Sequence, residues 1–276
     1  MANTIDTSFI KEYDADLYIA FQQMGSKFRD RCRVKSGVRG STVDFQKYGV
    51  GTASSKTRNG DITPMNPAHT IATATITDWY AGEYIDKFDA LKQNIDEKKA
   101  VIATAASALG RKLDSLVITA GYTSTNVVDQ STNDLDLDVL LAAIENQLGK
   151  DAFEQEGMIS MALGTKQWLK FLSIPEVKNG DFNTSKGEFS NKRVGQSRMF
   201  MGIDFFHTNL LTTTSGVTDC LLFDKRALGW AEAEGISTDV DWVGVKAAHF
   251  VNSMMSGGAV LIDLNGVAKV KIKDVA

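Results

Sequence analysis

Residues 41–78 read STVDFQKYGVGTASSKTRNGDITPMNPAHTIATATITD, a run holding eight threonines. Both flanks alternate as strands do, with Thr42, Val43, Asp44, Phe45 and Gln46 on the way out and Ile71 to Thr77 on the way back. They pair as a hairpin. Between them Gly49, Gly51, Ser54, Ser55, Asn59, Gly60, Pro64 and Pro67 crowd one tip, which holds two of the chain's three prolines. The stretch has too few large apolar side chains to build a core, so it must stay mobile or lie on another surface. A nine-residue strand spans about 30 Å, enough to carry the tip clear of a compact body. It reads as an arm that lies on a neighbouring copy.

Downstream the period becomes 3.6. Phe88, Leu91, Ile95, Ile102, Leu109, Leu113 and Leu116 mark one stripe, Ala103, Ala105, Ala106 and Ala108 thicken it, and no proline interrupts it. Helix throughout 86–119 would form a rod of roughly 50 Å. Upstream, Ile10, Tyr13, Leu17, Phe21, Met24 and Phe28 predict an amphipathic helix over 9–28. Lys27, Arg29, Arg31, Arg33 and Lys35 then fall on every second residue, which in extended chain puts five cations on one face. Such a face contacts nucleic-acid phosphates, meets another subunit, or is simply solvated and paired with carboxylates.

Beyond the long helix, 121–132 reads as a polar break and 137–153 as a second helix with an acidic start. A buried strand follows over 158–163, then a short helix over 165–172 ending near Pro175, and an irregular excursion over 178–197. The remainder is mostly β: strands over 199–207, 220–223 and 245–254, and a hairpin of 259–263 with 268–272 turning at Asn265 and Gly266. Gly257 and Gly258 read as a bend between strands rather than a phosphate nest.

Composition is that of a globular chain, 43% hydrophobic and 23% charged over 276 residues, room for one large domain or two moderate ones. The formal charge of -4 argues against a dedicated nucleic-acid binder. Cys32 and Cys220 stand far apart and read as reduced thiols. The N-terminal residues carry no signal-peptide pattern and no apolar run is long enough for a transmembrane helix, so no membrane association is expected.

Chemistry-bearing motifs are sparse. His69, His207 and His249 have no metal-ligand spacing among them, and no nucleophile elbow, Walker loop or dinucleotide fingerprint occurs. Asp134, Asp136, Asp138 and Glu145 match calcium-loop positions, but Val139 stands where glycine must turn the chain; they read as acids around a helix N-terminus. Trp79, Trp168, Trp230 and Trp242 are scattered and read as core or interface anchors. The expectation is a non-catalytic protein without metal or cofactor.

The order of elements, a short N-terminal arm, a long hairpin, one long helix, an α/β middle and a β ending, resembles the major capsid proteins of tailed bacteriophages, the Hong Kong 97-type α+β fold. FDKRALGWA at 223–231, continuing to Ile236, resembles the segment where those proteins leave the axial domain, and GAVLIDLNGV at 258–267 their closing peripheral strands. The resemblance implies an N-terminal arm over 1–40, an extended loop over 41–79, a peripheral domain over 80–133 and 239–276 with its spine helix at 86–119, and an axial domain over 134–238. It implies self-assembly into pentamers and hexamers that close an icosahedral head around double-stranded DNA, each extended loop lying over the adjacent subunit. Expected partners are a scaffolding protein, a portal and a decoration protein, with assembly in the host bacterial cytoplasm. Some members carry a scaffolding segment before the arm; here the arm begins near residue 1, which implies its removal or a separate scaffold. Lys56 and Arg58 at the loop tip are the expected contacts, and since no crosslinking partner for Lys56 is matched, no autocatalytic site is assigned. Two other readings are an encapsulin-type shell, whose usual N-terminal texture is not seen here, and a soluble α/β enzyme using the hairpin as a lid.

Overall fold

Two sheets and one long helix organise residues 22–88, 97–147, 158–178 and 194–274, which this computed structural model describes. The strands are β1 (Arg33–Ser36), β2 (Thr42–Tyr48), β3 (His69–Thr75), β4 (Thr77–Asp86), β5 (Val127–Gln130), β6 (Ile159–Leu163), β7 (Arg198–Phe200), β8 (Ile203–His207), β9 (Thr213–Thr214), β10 (Val217–Asp224), β11 (Leu228–Val243), β12 (Ala248–Leu261) and β13 (Val267–Lys273). The helices are α1 (Glu97–Tyr122), α2 (Leu137–Gln147), α3 (Thr165–Ser173) and α4 (Pro175–Lys178). No helix here is long and apolar enough to cross a membrane.

The α1 helix has 26 residues, about 39 Å at 1.5 Å each. Leu109 and Leu113 of the expected stripe are buried, and Val117 continues it four residues on, while Leu116, expected there, is only partly buried. Gly110 is needed for packing: a Cβ there would stand 2.6 Å from the backbone of Gly25, so only glycine lets the N-terminal segment cross the helix this closely.

The four-stranded sheet runs β1-β11-β12-β4, and its two faces carry different things. One face packs on α1, placing Trp230 and Met255 in the main core with Leu109 and Leu113. The other face carries the base of the β2–β3 hairpin, where Val43, Phe45 and Ala74 pack on Ala231 with Val260 and Ile262 beside them. The hairpin and the long helix therefore leave from opposite sides of one sheet.

The second sheet runs β5-β13-β10-β6-β8-β7, with β9 on β10. The β5–β13 and β6–β8 pairs are parallel and the others antiparallel. Strand β6 and α3 alternate in kind as a βα unit does, and Trp168 and Phe171 of α3 are buried, Phe171 stacking on Phe205 at 4.4 Å.

Several expectations need correction. Helical residues begin at Lys87, one position after the expected Asp86, which closes β4; 89–96 lie outside the described residues, and the helix ends at Tyr122 rather than 119. Of the helix expected over 9–28, residues up to 21 are outside the description, while 22–28 form none. Residues 148–153 of the second helix and most of the 178–197 excursion are likewise outside. The single strand expected over 199–207 is a hairpin, β7–β8, turning at Met201 and Gly202, both at positive φ. Gly257 and Gly258 are not a bend but lie inside β12, and 259–263 does not pair with 268–272, because β12 and β13 belong to different sheets. β5 and β13 share the seven-stranded sheet, and β11 lies in the four-stranded sheet from Leu228.

Candidate assembly surface

The five alternating cations do not form one strand face. Arg29–Arg31 close a 3-10 turn and only Arg33–Ser36 is strand, so the side chains diverge. Lys27 Nζ donates to the His207 carbonyl at 2.7 Å, Arg29 pairs with Glu232 at 2.7 Å, and Arg31 pairs with Asp204 at 2.7 Å. The Arg31 guanidinium also lies 4.4 Å from the centroid of Phe206. Arg33 sits 5.7 Å from the Phe45 ring centre, and Lys35 is exposed. Beneath them Asp114 of α1, fully buried, accepts hydrogen bonds from Gln23 Nε2, Ser26 Oγ and the backbone amides of Lys27 and Phe28. The segment is thus a staple that joins α1, β8 and β11 through charged hydrogen bonds. Burial lowers the Lys27 pKa, with Asp114 opposing that shift; burial also lowers that of His207, and the Lys27 charge adds to it.

The hairpin divides at about Lys47. Its base is anchored by Phe45 and by the Lys47–Asp263 ion pair at 2.6 Å. Beyond Tyr48, whose ring stacks on His69 at 4.5 Å, the limbs hold to each other only lightly. The Gly49 amide donates to the Ala68 carbonyl at 2.7 Å, and Asn59 takes a positive φ in the turn at the tip. Val50 is 86% and Ile62 75% exposed, with Met65 and Ile71 also open to solvent. Lys56 and Arg58 stand exposed between them. These apolar side chains give the ribbon a surface open to solvent.

Among the described residues, several side chains that chemistry would use are engaged with neighbours. His207 Nε2 meets Thr165 Oγ1 at 3.0 Å, and His249 packs against Trp242. Asp134 pairs with Lys170, and the Leu137 amide donates to Asp136, so these acids sit around the α2 N-terminus as expected. No group of His, Cys, Asp and Glu among the described residues could hold a metal ion. Cys32 and Cys220 are free thiols, and burial pushes each up to about 12.

A family model described as phage capsid protein matches residues 5–274. The chain belongs to that family. Solved phage capsids have the same fold. The chain aligns with that of Mycobacterium phage Ogopogo at TM-score 0.74 and 13% identity, covering 99% of each chain. With the capsid of Cyanophage P-SCSP1u the TM-score is 0.72 at 17% identity, over 97% of this chain and 94% of that one. The capsid of Ralstonia phage GP4 gives 0.69 at 12%, over 100% and 98%. No curated protein matches the chain. The fold is the Hong Kong 97 type, and the protein is a structural protein of the virion shell.

In this capsid protein the sequence pattern located the arm and its pairing, since β2 and β3 pair from Thr42 with Thr75 to Tyr48 with His69. It missed the seat of the arm, because Gly229, Ala231 and Gly258 are small residues that carry no periodic signal. Their smallness is what matters: a Cβ on Gly258 would lie 1.9 Å from the Thr75 carbonyl oxygen and one on Gly229 would lie 3.1 Å from Phe45.

Proposed function

We propose that this capsid protein assembles into pentamers and hexamers that close an icosahedral head around double-stranded DNA, with the arm of each copy lying over its neighbour. The observation that carries this is the exposed tip, where Val50 is 86% and Ile62 75% open to solvent. Burying each such side chain contributes about 1.5–3 kcal/mol, enough in repeated copies to drive assembly. Lys56 and Arg58 are the tip's polar contacts with the neighbour. Arg33 and Lys35, exposed at the sheet edge, are the members of the basic segment left to meet another subunit or the genome.

The role is geometric rather than catalytic. A scaffolding protein, a portal and a decoration protein are the expected partners, and assembly takes place in the host bacterial cytoplasm. The reading as a phage head is favoured over an encapsulin shell by the family match across 5–274. Replacing residues 50–66 by a short turn while keeping β2 and β3 tests the arm. The expected result is a folded subunit with an unchanged thermal midpoint that forms no shells; normal shells would contradict the proposal.

A further inference from the structure

The single face of alternating cations that the N-terminal segment does not form is present in β13. Lys269, Lys271 and Lys273 alternate with Ala268, Val270 and Ile272, which are fully buried, so the three ammonium groups share one face at about 6.6 Å intervals. Among the described residues none of the three lies within ion-pair distance of a carboxylate, although Asp129 feels the charge of Lys271 and Asp134 that of Lys273. That contrasts with Arg29, Arg31 and Lys47, each matched to a carboxylate. Lys269 lies 5.5 Å from the ring centre of Tyr122 at the end of α1, and its register partner Leu221 packs where Gly121 of α1 approaches. The stripe is therefore on the α1 side of its sheet, whereas the arm leaves from the side of the four-stranded sheet opposite α1.

We propose that Lys269, Lys271 and Lys273 contact the phosphate backbone of duplex DNA. This rests on the reading of the chain as a shell subunit around DNA. A row of lysines on one strand meets phosphates as point charges without reading bases. Asp129 and Asp219 stand in register with Lys271 on either side, which limits the attraction to a few separate contacts per subunit. Weak contacts repeated over many copies hold a genome in place and still let it leave.

The test is binding of a short duplex at rising sodium chloride by assembled protein and by the unassembled chain, for wild type, K269Q/K271Q/K273Q and K269R/K271R/K273R. Three contacts at about 0.9 each predict that the slope of log K against log salt falls by about 2.7 in the glutamine variant and is kept in the arginine variant. An unchanged slope in the glutamine variant overturns the proposal. Should that variant fail to fold, acetylation of wild-type lysines with and without the duplex decides. Protection of the three by DNA supports it, while equal labelling, or protection already complete without DNA, overturns it. Failure of the shell reading registers separately, as wild type that forms no particles by electron microscopy.

Discussion

Asp114 holds the N-terminal segment to α1 by accepting from four donors in a site with no exposure. A buried carboxylate left with its donors removed, or donors left without their carboxylate, costs more than the bonds themselves contribute, because neither side regains water. Asp114→Ala is therefore expected to lower unfolding free energy by on the order of 3 kcal/mol, read from the urea midpoint; an unshifted midpoint would show that the staple is held elsewhere. The two thiols make a second residue-scale prediction. With Cys32 and Cys220 both pushed up to about 12 by burial, almost no thiolate exists at pH 8. A disulfide reagent at that pH should label neither in the native protein and both after unfolding, and rapid native labelling would contradict their burial.

At the scale of elements, Gly258→Ala tests the seat of the arm. The added methyl meets the Thr75 carbonyl oxygen, so β3 must lift from β12. Hydrogen exchange is expected to quicken across β2 and β3 and stay unchanged in the seven-stranded sheet; unaltered exchange in the hairpin would mean that the contact gives way cheaply. The same elements show what sequence made visible. The hairpin was legible because β2 and β3 alternate and their tip is rich in Gly, Asn and Pro, and α1 because Ile102, Leu109 and Leu113 keep one period. Strand β11 was not, because bulges between Glu232 and Ser237 shift its alternation midway and its far half is exposed on both faces. Strand β4 was hidden similarly, as an edge strand whose Tyr80 and Tyr84 face solvent. In the basic segment, spacing alone suggested a strand, but Ser26 and Asp114 draw the chain into a turn, a tertiary effect no local period contains. The alternating lysines of β13 carry the same period, and there it does mark a strand, because Ala268, Val270 and Ile272 between them are buried.

At the scale of the molecule, the four-stranded sheet separates two sides of the subunit. One bears the arm, anchored at Phe45 and unfinished at Ile62; the other bears α1. On the proposed function a second copy supplies the contact that this apolar projection lacks, and the arm serves assembly rather than the monomer's core. The most direct measurement is electron cryo-microscopy of the purified protein under assembly conditions. The predicted result is closed shells in which residues 49–68 of each copy lie over the adjacent subunit. A uniform monomer under every condition, or shells in which the arm folds back on its own sheet, would contradict that central claim.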